Sequence, residues 1–115
     1  MANIYKNSKL DLSTNNATTL YVVPGNSRAI VKSILVSSDS GSATTVTVDL
    51  FNGDPAASAA KFTLFKTKAV AANASDQLLT EPLIMLENEV IQITAADANR
   101  LFVVASILEI NREDS

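Results

Sequence analysis

The chain divides into eight short strand-like runs, spaced about ten to twelve residues apart, with turn-forming residues between them and no convincing helix start. The runs span 4–12, 18–23, 28–37, 44–51, 61–70, 78–86, 89–95 and 101–111. This cadence of β-branched and aromatic segments predicts an all-β protein: an antiparallel β-sandwich of about eight strands, jelly-roll-like in layout. A length of 115 residues fits one domain. Residues 1–115 therefore read as a single β-sandwich domain, with a short amino-terminal arm over about residues 1–12 and a charged tail at 112–115.

Side-chain alternation assigns faces. In the run 44–51, Val46, Val48 and Leu50 point one way while Thr45, Thr47 and Asp49 point the other, with Phe51 interrupting the polar side. In 28–37, Ala29, Val31, Ser33 and Leu35 share one face, and Ile30, Lys32, Ile34 and Val36 the other. Both faces are largely apolar, as in a central strand; the periodicity also admits a helix, but neither end carries a cap. The run 101–111 is apolar on both faces and reads as central too. In 61–70 Lys66 and Lys68 fall on the side of Phe62 and Leu64, so the inward face is expected to switch at a bulge. Pro82 marks an edge strand or a break. Pro24-Gly25-Asn26 suits a type II turn joining two strands of a hairpin, and Glu87-Asn88 a second hairpin turn. Residues 56–60 form a loop or one loose helical turn. The predicted core is Val31, Leu35, Val46, Val48, Leu50, Ile91, Ile93, Val103 and Ile107.

Composition narrows function. The chain has no His, Cys or Trp, and so lacks the commonest general base, the strongest nucleophile and the best transition-metal ligands. Without cysteine the fold is held by its core or its neighbours, not by disulfides. The net charge is −3, the basic residues are scattered and the few aromatics dispersed, which argues against nucleic-acid binding. No apolar signal core opens the chain, and its longest uncharged stretch, 12–27, is too rich in Ser, Thr and Asn to cross a membrane. Cytoplasmic synthesis follows as the expectation. With 47% hydrophobic residues in so small a chain, part of the outer surface is expected to be covered by another subunit.

Glu87 and Glu89 form the one pair of carboxylates placed for acid–base work, but they read as the solvated shoulders of a turn at Asn88. Asp39 with Ser40 and Ser42, and Asn52 with Asp54, lack the ligand spacing of a calcium loop. Asn16-Ala17-Thr18 and Asn73-Ala74-Ser75 match the glycosylation triplet, which carries no meaning without secretion. The Ser and Thr hydroxyls have no histidine or Ser-x-x-Lys lysine to activate them, and three glycines cannot build a phosphate-cradling loop. The reading is a non-enzyme with no catalytic, cofactor-binding or metal site.

Three stretches in the first half are distinctive: residues 1–7 (MANIYKN), 20–25 (LYVVPG) and 29–36 (AIVKSILV). Together with 65–73 (FKTKAVAAN), 78–83 (LLTEPL) and 103–110 (VVASILEI), they resemble small β-sandwich structural proteins of tailed bacteriophages, notably marine phages and cyanophages. That resemblance implies a virion component at the capsid surface, a capsid decoration or cement protein that joins major capsid proteins; the apolar excess of so small a chain adds the expectation of a homo-oligomer, a trimer favoured, where capsid subunits meet. A tail or head–tail connector component is the rival within the class, and a carbohydrate-binding module for a host receptor the rival outside it.

The segment 2–12 mixes Ile4, Tyr5, Leu10 and Leu12 with Lys6, Lys9 and Asp11. It reads either as an arm that reaches an adjacent chain or as an ordinary edge strand of the same sandwich. In the first case Ile4, Tyr5, Lys6, Lys9 and Leu10 bind the partner, with Tyr5 as the apolar anchor and the lysines meeting acidic groups.

Overall fold

In the computed structural model, which describes residues 2–38, 41–57, 59–79, 81–99 and 101–111, the chain is a sandwich of two antiparallel sheets. The strands are β1 (Ala2–Leu12), β2 (Thr18–Val22), β3 (Ser27–Ser38), β4 (Thr44–Phe51), β5 (Lys61–Val70), β6 (Ser75–Gln77), β7 (Leu83–Met85), β8 (Val90–Ala95) and β9 (Leu101–Asn111). Sheet A has the order β1-β9-β3-β6, with β7 also paired to β3; sheet B has the order β2-β8-β4-β5. Because β6 and β7 are two pieces of one edge, the path is that of an eight-stranded jelly roll. The charged tail at 112–115 and the Asp39-Ser40 turn lie outside the described residues.

Among the described residues, β4 and β5 form the one hairpin within a sheet; the break between β6 and β7 stays in sheet A, and the other links cross from one sheet to the other. The expected hairpins at Pro24-Gly25-Asn26 and Glu87-Asn88 are therefore corners, since β2 and β8 belong to sheet B while β3 and β7 belong to sheet A. The type II turn is not formed either: no glycine has positive φ, and Asn26 takes the left-handed conformation at φ 63°. Asn73, Asn88 and Asn99 do the same in their own turns. Asparagine tolerates this region because its short side chain can bond locally to the backbone, and a chain with three glycines uses it instead. Backbone bonds lock the corner pair together, Asn88 N–H to Val23 O at 3.0 Å and Val23 N–H to Glu89 O at 3.0 Å.

The core lies between the sheets, and bulges decide what enters it. Against β9, β3 slips register between Val31 and Ser33, so Lys32 is the extra residue. Ser27, Ala29 and Val31 face inward before the slip, and Ile34, Val36 and Ser38 after it. This corrects the expected core: Leu35 is turned outward and only partly buried, and Leu50 is partly buried at the end of its strand. The other seven expected core residues are buried. The expected switch in β5 is present as two register shifts against β4, with Thr67 at φ 49°. In β2 a bulge between Thr19 and Tyr21 sends both Leu20 and Tyr21 into the core.

The run expected at 78–86 is instead split, with strand only at Ser75–Gln77 and Leu83–Met85 and Pro82 in the break between them. Residues 55–57 make one 3₁₀ turn, as the looser reading of that segment allowed. Residues 2–12, the segment read as a possible arm, pair with β9 along their whole length, from Ala2 opposite Asn111 to Leu12 opposite Leu101. In this chain they form the edge strand of sheet A.

Candidate functional site

Strand register builds the outer face of sheet A row by row. Tyr5 stands opposite Leu108, Leu108 opposite Ile30, and Ile30 opposite Ile84. Cross-strand neighbours on one face lie about 5 Å apart, so these four side chains form an apolar row across β1, β9, β3 and β7. Its two ends are open to solvent, Tyr5 at 74% and Ile84 at 66% exposure. Leu86, just past β7, is half exposed, and Ile110 lies one row outward between Asn3 and Arg28. Further along the same face Val104 and Phe102 are also exposed. Arg28, Lys32 and Lys9 stand beside this apolar surface, exposed, so it is flanked by cations. A shallow groove of about 320 Å³ runs beside the Lys32 bulge, lined by Tyr5, Lys6, Asn7, Lys32, Ser106 and Ile107.

The outer face of sheet B is apolar at one end, where Val22 and Phe51 flank Val90, and polar across its middle. Thr19, Gln92, Asp49 and Thr63 form its matching row. Their polar groups satisfy one another, Gln92 Nε2 donating to Thr19 Oγ1 at 3.2 Å and Thr63 Oγ1 to Asp49 Oδ1 at 2.7 Å. Thr47 opposite Thr94 continues the polar surface. Near one corner a cleft of about 460 Å³ is lined by Thr19, Val22, Asp54, Pro55, Asn88 and Val90. Asp54 is its one carboxylate, and its Oδ1 accepts the Ala56 N–H at 2.9 Å.

One charged cluster is built into the interior. Glu109, at 4% exposure, continues the inward row Leu101, Val103, Ala105 and Ile107 of β9. Its Oε2 accepts from the Tyr21 hydroxyl, which reaches across from sheet B, and from Lys6 Nζ at 3.0 Å. The Lys6 ammonium also sits 5.9 Å from the centre of the Tyr21 ring. Burial pushes the Glu109 carboxyl up, but the Tyr21 hydrogen bond and the Lys6 charge outweigh it and hold the pKa below the usual carboxylate value. Burial, then the Glu109 hydrogen bond and charge, push the Tyr21 phenol well above its ordinary value. An acid held ionised and a phenol held protonated make a weak base and a weak acid near neutral pH. What the cluster does is tie β1, β2 and β9 together across the sandwich. Sequence reading missed Glu109, although a lone acid ending an alternating apolar row was a usable signal.

The five expected partner-binding residues all lie on β1 but part company. Tyr5 and Lys9 face outward on sheet A, and Ile4 is 44% exposed near the strand end. Lys6 is drawn inward to Glu109, and Leu10 packs against the core. The remaining candidates are turn chemistry. Glu87 Oε2 accepts the Asn26 N–H at 3.2 Å and Glu89 Oε1 the Leu86 N–H at 2.8 Å, so both carboxylates cap the corner. Asn52 Oδ1 accepts the Ala60 N–H at 3.1 Å.

No protein-family model matches the chain, and no curated protein matches it in sequence. Solved structures do match in fold. A chain of the T13 particle of infectious bursal disease virus superposes with a TM-score of 0.59 at 6% identity, over 93% of this chain and 30% of that one. A chain of the acid-stable capsid of Helicobacter pylori bacteriophage KHP30 gives 0.56 at 10% identity, over 96% and 89%. A chain of the Bacillus endospore appendages, described as disulfide-linked pili, gives 0.56 at 13% identity, over 95% and 88%. The chain spans about a third of the length of the infectious bursal disease virus chains it matches. At these identities the likeness is one of fold.

Proposed function

We propose that the chain is a non-enzymatic structural protein of a bacteriophage virion, a capsid decoration or cement protein on the capsid surface that strengthens contacts between major capsid proteins. The observation that carries this reading is the row Tyr5–Leu108–Ile30–Ile84, apolar across four strands and open at both ends on one outer face, whereas the middle of the opposite face is polar and self-satisfied. A flat apolar surface flanked by cations suits a partner surface with an apolar centre and a carboxylate rim. Tyr5 anchors one end, Ile84 the other, and Lys9, Lys32 and Arg28 meet the acidic groups. Ile4, Lys6 and Leu10 lie on the inner side of β1 and stay outside this contact, with Lys6 and Leu10 holding the strand in place. The fold shared with chains of two virus particles supports a place in a shell.

The test is co-sedimentation of the purified chain with expanded, DNA-free heads of the virus that encodes it. The parent chain is expected to pellet with heads, and Tyr5→Ala and Ile84→Lys to remain in the supernatant while keeping their thermal transitions. A tail or head–tail connector location is the rival within the class. Quantifying the chain in separated heads and tails of disrupted virions decides it, and recovery with tails alone overturns the capsid placement. Binding to host polysaccharide without binding to heads overturns the virion reading itself.

A further inference from the structure

The sandwich has four sheet edges, and three of them are blunted. The far edge of sheet A is two strands of three residues each, broken around Pro82. In sheet B, β2 is five residues long and bulged, and β5 carries two register shifts, a left-handed Thr67 and the lysines Lys61, Lys66 and Lys68. Shortness, bulges and lysines are the devices by which natural sheets refuse edge-to-edge pairing. Strand β1 lacks the first two. It runs eleven residues in unbroken register with β9 and contains no proline or glycine. Of its two lysines, Lys6 is occupied by Glu109.

We infer that β1 is a self-association edge: it pairs antiparallel with β1 of a second copy about a twofold axis at Asn7. The sequence of the strand selects this register. A twofold axis normal to the sheet brings residue c opposite its own copy and every other residue i opposite 2c − i, keeping the inner and outer faces aligned. An axis at Lys6 or at Lys9 would set like charges directly opposite each other. The axis at Asn7 alone engages all eleven residues. It puts Ile4 opposite Leu10 on the inner face, and Tyr5 opposite Lys9 and Asn3 opposite Asp11 on the outer face. Lys6 meets Ser8, and Asn7 meets itself. Apolar groups fall on apolar groups, and a ring on an ammonium stem. The exposed Ile4 gains a cover. Sheet A then continues through the axis into its copy.

The pairing is isologous and yields a dimer, not the trimer expected from the apolar excess of the sequence. It stands apart from the virion reading, because it requires no shell. Light scattering on the full chain is expected to give twice 12.2 kDa. The chain has no cysteine, so single substitutions report the register directly. Asn7→Cys is expected to form a disulfide dimer on mild oxidation. Asn3→Cys is not, because the two copies of residue 3 lie eight residues apart along the pair, roughly 26 Å. An equimolar mixture of Asn3→Cys and Asp11→Cys is expected to cross-link. Asn7→Lys, at an exposed position, should raise the dissociation constant roughly tenfold or more while keeping a cooperative thermal transition. A monomer at high concentration, a trimer, or cross-linking of Asn3→Cys as readily as Asn7→Cys overturns the pairing.

Discussion

Replacing Tyr21 by Phe removes one oxygen atom and tests whether the interior cluster holds the two sheets together. The ring stays in its pocket, where Tyr21 is 8% exposed, so packing is conserved and only the bond to Glu109 is lost. The carboxylate then keeps Lys6 Nζ at 3.0 Å, an amine on a side chain that is 42% exposed. A hydrogen bond to a buried charge contributes about 1.5–3 kcal/mol, and losing one partner leaves the carboxylate partly unsatisfied. For 115 residues the unfolding entropy is about 0.24 kcal/mol per degree, so Tm should fall by roughly 6–12 °C. Lys6→Met should cost less, about 0.5–1 kcal/mol, because solvent screens that partner. Melts followed by circular dichroism at pH 7, for both single variants and the double variant, give the coupling between the two partners.

The pH dependence follows from the same bonds. The folded pKa of Glu109 lies below its unfolded value, so its stabilisation is complete above the unfolded carboxylate value near about 4.3 and is lost as pH falls through the folded one. The raised Tyr21 pKa works at the other end: its contribution is complete below about pH 10 and declines as pH rises above that, where only the unfolded chain ionises. Glu109→Gln should therefore melt lower at pH 7 and lose less of its stability on acidification than the parent. A Tyr21→Phe melt within about 2 °C of the parent, or an unchanged acid limb in Glu109→Gln, would refute a structural tie at this position.

Val48 is fully buried, and Val48→Asp should abolish the folded baseline in a dichroism melt, because the new charge finds no partner between the sheets. Deleting residues 2–10 strips the edge from β9 and removes the Lys6 partner of Glu109, so the cooperative transition should disappear; a truncated protein that still melts cooperatively but no longer self-associates would mark the segment as an arm after all. Asn88 holds φ 64° at a corner, so Asn88→Ala should lower stability by about 1 kcal/mol while Asn88→Gly stays close to the parent in a denaturant titration.

Seven of the eight strand runs were legible in the sequence, because period-2 alternation and turn residues are local signals. The assignment of β3 and β9 as central strands was also legible, since apolar residues on both faces require neighbours on both sides. Pairing across turns was not. Pro24-Gly25-Asn26 looks like a hairpin turn when only its own residues are weighed, but the buried flanks of β2 and β3 are satisfied by two different sheets. Bulges were legible where the sequence itself broke alternation, as in β5, and illegible in β3, where Leu35 and Ile34 are interchangeable on hydrophobicity and only the slip at Lys32 chooses between them. The apolar row on sheet A could not be seen beforehand for the same reason. It is made of one residue from each of four strands, and register alone aligns Tyr5, Leu108, Ile30 and Ile84.

The two proposed contacts share Tyr5 and Lys9 on β1 but differ elsewhere on sheet A, which makes them separable. Ile84 lies on β7, beyond β9 and β3 from β1, about three strand spacings or roughly 14 Å from the edge. A charge placed there cannot reach an axis at Asn7. Ile84→Lys should therefore release the chain from heads and leave the dimer intact, whereas Asn7→Lys should dissociate the dimer and keep the outer row of each copy unaltered. Tyr5 belongs to both contacts, as one end of the row and as the residue opposite Lys9 of the second copy, so Tyr5→Ala should weaken both. If heads bind through a pair of rows held in fixed relation by the dimer, Asn7→Lys should also reduce head binding by lost avidity, to a degree set by chain concentration relative to the dimer dissociation constant. Measuring head binding of the three variants across a dilution series distinguishes the cases. Equal loss for Ile84→Lys and Asn7→Lys at every concentration would mean that the face and the edge act as one surface, and the separation drawn between them would be wrong.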